Sequence, residues 1–247
     1  MILSRLRDWS LHLSARIPSP VPCACVLCGD TGDRPVCTEC RARHFGAPIH
    51  RCVRCAAMLP DENARECGDC MDTAPAFDTT VVATNYAAPA DQLVLALKFG
   101  GQLALAPVFA EMLRDAMLRQ NAASLPAVLI AVPLGPQRLA ERGFNQALEI
   151  ARPLSRALGI GLERRLAIRT RETGAQSLLP PDQRRKNMRH AFSIPGDAIE
   201  KIRGRHVGVV DDVITTGATL NELAAMLKHY GATRVTNLVF ARTPHSY

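Results

Sequence analysis

Beyond residue 77 the chain alternates between two hydrophobic periods. Residues 79–85 (TTVVATN) are β-branched and short, which predicts a strand, whereas residues 90–97 repeat apolar positions at helical spacing and stop at Gly100-Gly101. Residues 103–119 predict a second helix. Residues 127–134 (AVLIAVPL) form a continuous apolar run too short for a helix, as expected of a strand buried on both faces of a parallel sheet. In residues 145–158, Ala147, Leu148, Ala151, Leu154 and Leu158 share a helical face, and Gly159 supplies a stop. Residues 206–210 (HVGVV) predict another buried strand. Residues 219–230 place Leu220, Leu223, Ala224 and Leu227 on one helical face before Gly231, and residues 234–241 (RVTNLVFA) predict the last strand. Strands alternating with helices predict an α/β domain with a mostly parallel sheet covered by helices on both faces.

Two stretches fall outside this alternation. From Gly159 to Arg205 the pattern fails, and Gly174 and Pro180-Pro181 lie within it. A long mobile loop at about 164–192 followed by a connector is expected there. At the other end, Leu3, Leu6, Trp9 and Leu13 lie on one face of a predicted helix in residues 1–20. That face is expected to pack on its own protein, with a membrane surface or a partner as the alternative. Arg5, Arg7, Asp8 and Arg16 interrupt the apolar core that a secretory signal needs, and no 18-residue apolar stretch occurs in the chain. A soluble, cytoplasmic protein is therefore expected.

Cysteine usage separates the two halves of the sequence. All nine cysteines lie between Cys23 and Cys70, and eight of them form the pairs Cys25/Cys28, Cys37/Cys40, Cys52/Cys55 and Cys67/Cys70, each with CxxC spacing. Clustered thiols in a chain without a secretory signal favour metal over disulfides. Eight thiolates fill two closed tetrahedral Zn²⁺ sites, which are structural because catalysis requires an exchangeable position. Sequential pairing, Cys25/Cys28 with Cys37/Cys40 and Cys52/Cys55 with Cys67/Cys70, is favoured over an interleaved cross-brace. An iron–sulfur cluster is the lesser alternative. Cys23 is left over as a free thiol, and His44 and His50 are not needed as ligands. The predicted organisation is thus an N-terminal helix (1–20), a double zinc-ribbon module (21–76) and an α/β domain (77–247).

Charge points to the kind of partner. A hydrophobic content of 47% supplies a real core and excludes a disordered chain. Residues 164–205 hold eleven Lys/Arg against four Asp/Glu, which accounts for the whole formal excess of +7. The partner is expected to be anionic: a phosphate-rich small molecule, or RNA or DNA.

The stretch VGVVDDVITTGAT, residues 207–219, narrows that choice. An apolar strand delivers Asp211 and Asp212, and then Thr215, Thr216, Gly217, Ala218 and Thr219 open a helix. These residues are small enough for a phosphate to approach backbone N–H groups at the positive helix end. The paired carboxylates can accept hydrogen bonds from the vicinal hydroxyls of a ribose, so a ribose 5-phosphate fits. No GxxxxGK[ST] loop is present, which excludes a Walker-type site.

The same thirteen residues resemble the 5-phosphoribosyl-1-pyrophosphate (PRPP) signature of type I phosphoribosyltransferases. Residues 132–146 (VPLGPQRLAERGFNQ) resemble the pyrophosphate-loop region of the ComF family through Arg138, Arg142, Gly143, Asn145 and Gln146. Residues 176–192 (QSLLPPDQRRKNMRHAF) resemble its mobile-loop signature through Gln176, Arg184, Arg185, Asn187 and Phe192. With the cysteine pairs, the resemblance covers residues 22–242. It implies a type I phosphoribosyltransferase-like fold, PRPP as ligand with Mg²⁺, and a link to DNA uptake in natural transformation.

The resemblance implies two readings of function. In the first, a phosphoribosyl group passes from PRPP to an unknown acceptor with release of pyrophosphate, and Asp211, Asp212, Arg142, Arg184 and Arg185 carry the catalytic charge roles. PRPP is then held by Asp211, Asp212, Thr215, Thr216, Gly217, Ala218, Thr219, Arg138, Arg142, Asn145, Gln146 and Gln176. In the second, PRPP or a nucleotide regulates a non-catalytic factor that binds single-stranded DNA, although aromatic residues for base stacking make up only 4% of the chain. A scaffold for DNA-uptake proteins is a third, lesser reading. Only residues 242–247 follow the last predicted strand, so no C-terminal hood over an acceptor is expected; the cysteine module supplies one, or no acceptor is read.

Overall fold

The computed structural model describes residues 22–47, 49–120, 125–170 and 191–244. The helix expected in residues 1–20 lies outside them. The chain divides into two compact units, one ending at Arg43 and the other beginning at His44.

In the first unit a short antiparallel pair, β1 (Cys23–Ala24) and β2 (Thr31–Gly32), precedes helix α1 (Thr38–Phe45). Among its described residues Cys25, Val36 and Cys40 are nearly inaccessible to solvent.

The second unit opens with four cysteines and helix α2 (Gly68–Asp72), followed by β3 (Thr79–Asn85), α3 (Ala90–Phe99), α4 (Leu105–Arg119) and β4 (Val128–Ala131). Then come α5 (Pro136–Arg142), α6 (Gln146–Leu158), β5 (Gly161–Leu162), β6 (Ile168–Arg169), β7 (Phe192–Ser193) and a 3₁₀ turn (Gly196–Lys201). Strand β8 (His206–Ile214), helix α7 (Ala218–His229) and β9 (Arg234–Arg242) complete it.

Five strands form one parallel sheet in the order β3-β9-β8-β4-β5. Period-2 alternation in β9 divides its side chains between the two faces. Phe240 stacks on Phe109 of α4 with ring centroids 3.6 Å apart, while Val235 and Val239 join the cluster containing Leu223 and Leu227 of α7. The predicted α/β class and parallel sheet are therefore present. Strand β4 is shorter than the apolar run that predicted it, because Pro133 lacks an N–H to continue the ladder. Strand β8 is longer, running through both aspartates to Ile214.

Two features of the second unit position the site. The cysteine-bearing segment lies against β3, the sheet's edge strand: the Thr80 N–H donates to the Val53 carbonyl (3.3 Å), and Arg51 donates to the Asn85 side chain (2.6 Å). Covering an edge strand removes a template for pairing with other chains. The segment after α2 is then tied to the sheet and to α7. The Ala76 N–H donates to Asn221 Oδ1 (2.7 Å), and the Asp78 carboxylate accepts from Lys228 (2.8 Å) and from the Val235 N–H (2.7 Å).

Candidate functional site

The eight paired cysteines gather into two groups, Cys25/Cys28/Cys37/Cys40 and Cys52/Cys55/Cys67/Cys70, with the sulfurs of each group all within 4.8 Å of one another. This is the sequential arrangement. Four thiolates at about 2.3 Å from a tetrahedral Zn²⁺ sit about 3.8 Å apart. The Cys28–Cys37 and Cys55–Cys67 sulfurs are separated by 3.8 Å and 3.6 Å. Backbone N–H groups point at the sulfurs, as from Cys37 to Cys25 and from Cys40 to Cys37 (3.4 Å each). The donor sets fit Zn²⁺ with no position left for an exchangeable ligand. Cys23 belongs to neither group and carries no disulfide.

The second constellation lies at the carboxyl ends of β8 and β4, the edge where open parallel sheets bind ligands. At the end of β8 the chain turns through Thr215 and Thr216, both exposed, to Gly217, whose φ of +78° is available to few other residues. That turn sets Gly217 at the N-cap of α7, whose first N–H groups have no intrahelical acceptor; that of Ala218 donates to Thr216 Oγ1 (3.4 Å). Asp211 and residues 213–220 line one shallow cradle around this turn. Small hydroxyl-bearing residues at a helix N-terminus are a donor arrangement that suits an anion.

The two aspartates have different surroundings because successive strand residues face opposite ways. Asp211 borders the cradle, and its Oδ1 accepts from the Asp212 N–H (2.9 Å). Burial, and then the negative charge of Asp212, push the Asp211 carboxyl up to about 8 against the opposing pull of Lys98. Asp212 is 3% exposed; its Oδ1 accepts from the Val213 N–H (2.8 Å), and its Oδ2 forms an ion pair with Lys98 Nζ (2.8 Å).

Helix α5 and the N-terminus of α6 supply the other predicted residues. Gly143 ends α5 with φ +75°, bringing Arg142 back toward α6. The Arg142 guanidinium donates to Gln146 Oε1 (2.9 Å) and lies 5.1 Å over the Phe99 ring. Asn145 caps α6 by accepting from the Ala147 and Leu148 N–H groups (3.0 and 3.3 Å), and it donates to the Val132 carbonyl (3.0 Å). Asn145 and Gln146 are thus engaged in shaping the loop after β4, and Arg138 is half-buried on α5. Gln176, Arg184 and Arg185 lie outside the described residues.

Pattern reading passes over Lys98 and Phe99, which belong to no motif. A signal was present. Lys98 lies four residues after the buried Val94, on the stripe of Ala90, Leu93, Val94 and Leu97. A charge on a buried stripe requires a partner.

Beside this cradle is a cavity of about 500 Å³. Cys55, Cys70, Asp69 and Asp72 wall it on the cysteine side, with Phe77 below and Gly217 and Asn221 opposite. The second cysteine group, through Cys55 and Cys70, therefore shares a cavity with the turn at Thr216, Gly217 and Ala218, all within one unit.

These features define a phosphoribosyltransferase-type domain, and the family description "Phosphoribosyl transferase domain" matches residues 145–247. The chain is 33% identical over 231 residues to the DNA utilization protein YhgH of Escherichia coli O157:H7, covering 90% of this chain and 98% of that one. It is 34% identical over 204 residues to Competence protein F of Haemophilus influenzae, covering 81% and 87%. The chain belongs to this ComF family. Among solved structures, the adenine phosphoribosyltransferase of Thermoanaerobacter pseudethanolicus aligns with 59% of this chain and 72% of its own, at 19% identity and a TM-score of 0.34. Among the described residues, no helix is long and apolar enough to cross a membrane.

Proposed function

We propose that the protein binds PRPP with Mg²⁺ at the carboxyl edge of β8 and transfers its phosphoribosyl group to an acceptor, in a process linked to DNA uptake. The acid pair leading into the Thr215–Thr219 turn carries this reading, because it joins a diol acceptor to an anion cradle within nine residues of chain. The 5-phosphate would sit on the N–H groups of the turn, and the ribose hydroxyls would donate to Asp211 and Asp212. Asp211 and Asp212 would be the protein groups nearest to Mg²⁺, which would supply charge stabilisation as the leaving group departs. Arg142, with Arg184 and Arg185, would neutralise the same developing charge.

In the transfer the ribose C1–O bond to pyrophosphate breaks and its electron pair leaves with pyrophosphate. A nitrogen lone pair of the acceptor forms the new bond to C1 and the nitrogen then gives up a proton. The names of the relatives support the link to DNA uptake and utilisation. The basic stretch at 164–205 supports single-stranded DNA as a second, macromolecular ligand, and with it the reading of a PRPP-regulated DNA-binding factor.

Labelled PRPP separates the two readings. Release of pyrophosphate in step with labelling of an acceptor is expected of the enzyme; PRPP that binds and is recovered intact, while changing DNA affinity, belongs to the regulated factor. In either case Asp211→Asn or Asp212→Asn is expected to weaken Mg²⁺–PRPP binding by about 1–3 kcal/mol, the scale of a lost charge-assisted hydrogen bond. PRPP-induced thermal stabilisation that is unchanged in both variants would remove the acid pair from the site.

A further inference from the structure

We propose that Lys98 is the standing counter-ion of the acid pair and that it keeps a bare divalent cation off Asp212 until phosphate groups arrive with the metal. The proposal rests on the reading of Asp211 and Asp212 as part of the PRPP site. Its own support is the Lys98–Asp212 ion pair, 2.8 Å long between side chains that are 19% and 5% exposed.

Mg²⁺ is commonly held by one or two carboxylates plus substrate phosphates; here Asp211 borders the cradle and Asp212, 3% exposed, is the next residue of the strand. Lys98 is paired with Asp212, so the acid pair is not presented as two uncompensated charges. The Asp212 oxygen that faces Lys98 receives no other hydrogen bond, whereas its second oxygen is taken by the Val213 N–H. A cation entering alone therefore meets an ammonium at contact distance, and Coulomb repulsion in this partly dry site opposes it.

A phosphorylated ligand changes that balance. Its phosphates bring negative charge that offsets the ammonium, and each Asp212 oxygen keeps a second lone pair for a ribose hydroxyl. The same helix end reaches the basic side of the cleft, since Phe99, the next residue, lies beneath the Arg142 guanidinium. The C-terminus of α3 thus links the acid pair to α5. Lys98 acts as a positioning residue, fixing Asp212 by the ion pair while Asp211 borders the cradle.

Calorimetric titration with Mn²⁺ alone, and then with Mg²⁺–PRPP, tests this on the full-length, zinc-loaded chain. Lys98→Met, or Lys98→Gln should Met not fold, is expected to bind Mn²⁺ about tenfold or more tighter than the unmodified protein, and to bind Mg²⁺–PRPP more weakly. Adding Asp212→Asn is expected to abolish the gained Mn²⁺ affinity. A folded Lys98 variant with unaltered Mn²⁺ affinity overturns the proposal. So does failure of both single variants to fold, if the Lys98→Met, Asp212→Asn double variant folds and binds Mg²⁺–PRPP as Asp212→Asn alone does; Lys98 would then only neutralise a buried charge. Absence of PRPP binding by the unmodified protein is a different outcome: it overturns the PRPP reading itself, whatever Mn²⁺ does.

Discussion

Removing metal from the second cysteine group is expected to destabilise the phosphoribosyltransferase-type domain, whereas removing it from the first is not. Structural Zn²⁺ contributes about 10–16 kcal/mol of apparent binding free energy, comparable to or above the roughly 5–15 kcal/mol stability of a whole domain. The asymmetry follows from packing. Ala56, next to Cys55, is fully buried in the same cluster as Phe77, Val82 and Leu220, and Cys55 itself packs against that cluster. The first group belongs to the other compact unit. Cys52→Ser is therefore expected to lower the melting temperature of the entire second unit, while Cys25→Ser leaves that transition in place. Elemental analysis of the unmodified protein is expected to give two Zn²⁺ per chain. Equal effects of the two substitutions on the main unfolding transition, or a protein without zinc and with intact disulfides, would contradict this account.

A second large effect is expected at the centre of the sheet. Phe240 is fully buried and stacks on Phe109, which is fully buried in α4. Phe240→Ala removes that ring contact and leaves a cavity between helix and sheet, at a cost of about 3–5 kcal/mol. Chemical denaturation is expected to show a lower midpoint with little change in slope. Because Phe240 takes no part in the cradle, the variant is expected to retain Mg²⁺–PRPP binding at temperatures where it is folded. A loss below 1 kcal/mol would show that the core had closed around the missing ring.

The elements legible in the sequence are those with enough residues to express a period. Strands β3 and β9 and helices α4 and α6 fall close to their predicted bounds because each carries several apolar positions against a shared core. Strands β5, β6 and β7 have two residues each, too few to alternate, so the stretch after Gly159 gave no pattern. Helix α5 was passed over for a related reason: PQRLAER buries none of its residues, and only Pro136 in its first turn and Gly143 at its end mark it. The continuation of β8 was hidden because Asp211 and Asp212 interrupt an apolar run, although the backbone ladder goes on to Ile214.

The site shows the same division. Its chemistry is local in sequence along residues 207–219, and the cysteine pairs declare themselves by spacing. What spacing cannot express is which distant side chain meets which. The pairing of Lys98 with Asp212 depends on how α3 crosses the end of the sheet. The placement of the second cysteine group beside Gly217 depends on the ties from Ala76 to Asn221 and from Asp78 to Lys228. Asn145 and Gln146 are the complementary case, motif residues whose polar groups in this structure hold the loop after β4 in shape.

The central claim is that the turn after β8, with its acid pair, is a PRPP site, and titration of the unmodified, zinc-loaded protein with PRPP in the presence of Mg²⁺ tests it most directly. Saturable binding at one site per chain is expected, displaced by ribose 5-phosphate and weakened about 5- to 150-fold by Asp211→Asn. No detectable binding at millimolar PRPP, or equal binding by the Asp211→Asn variant, would contradict it.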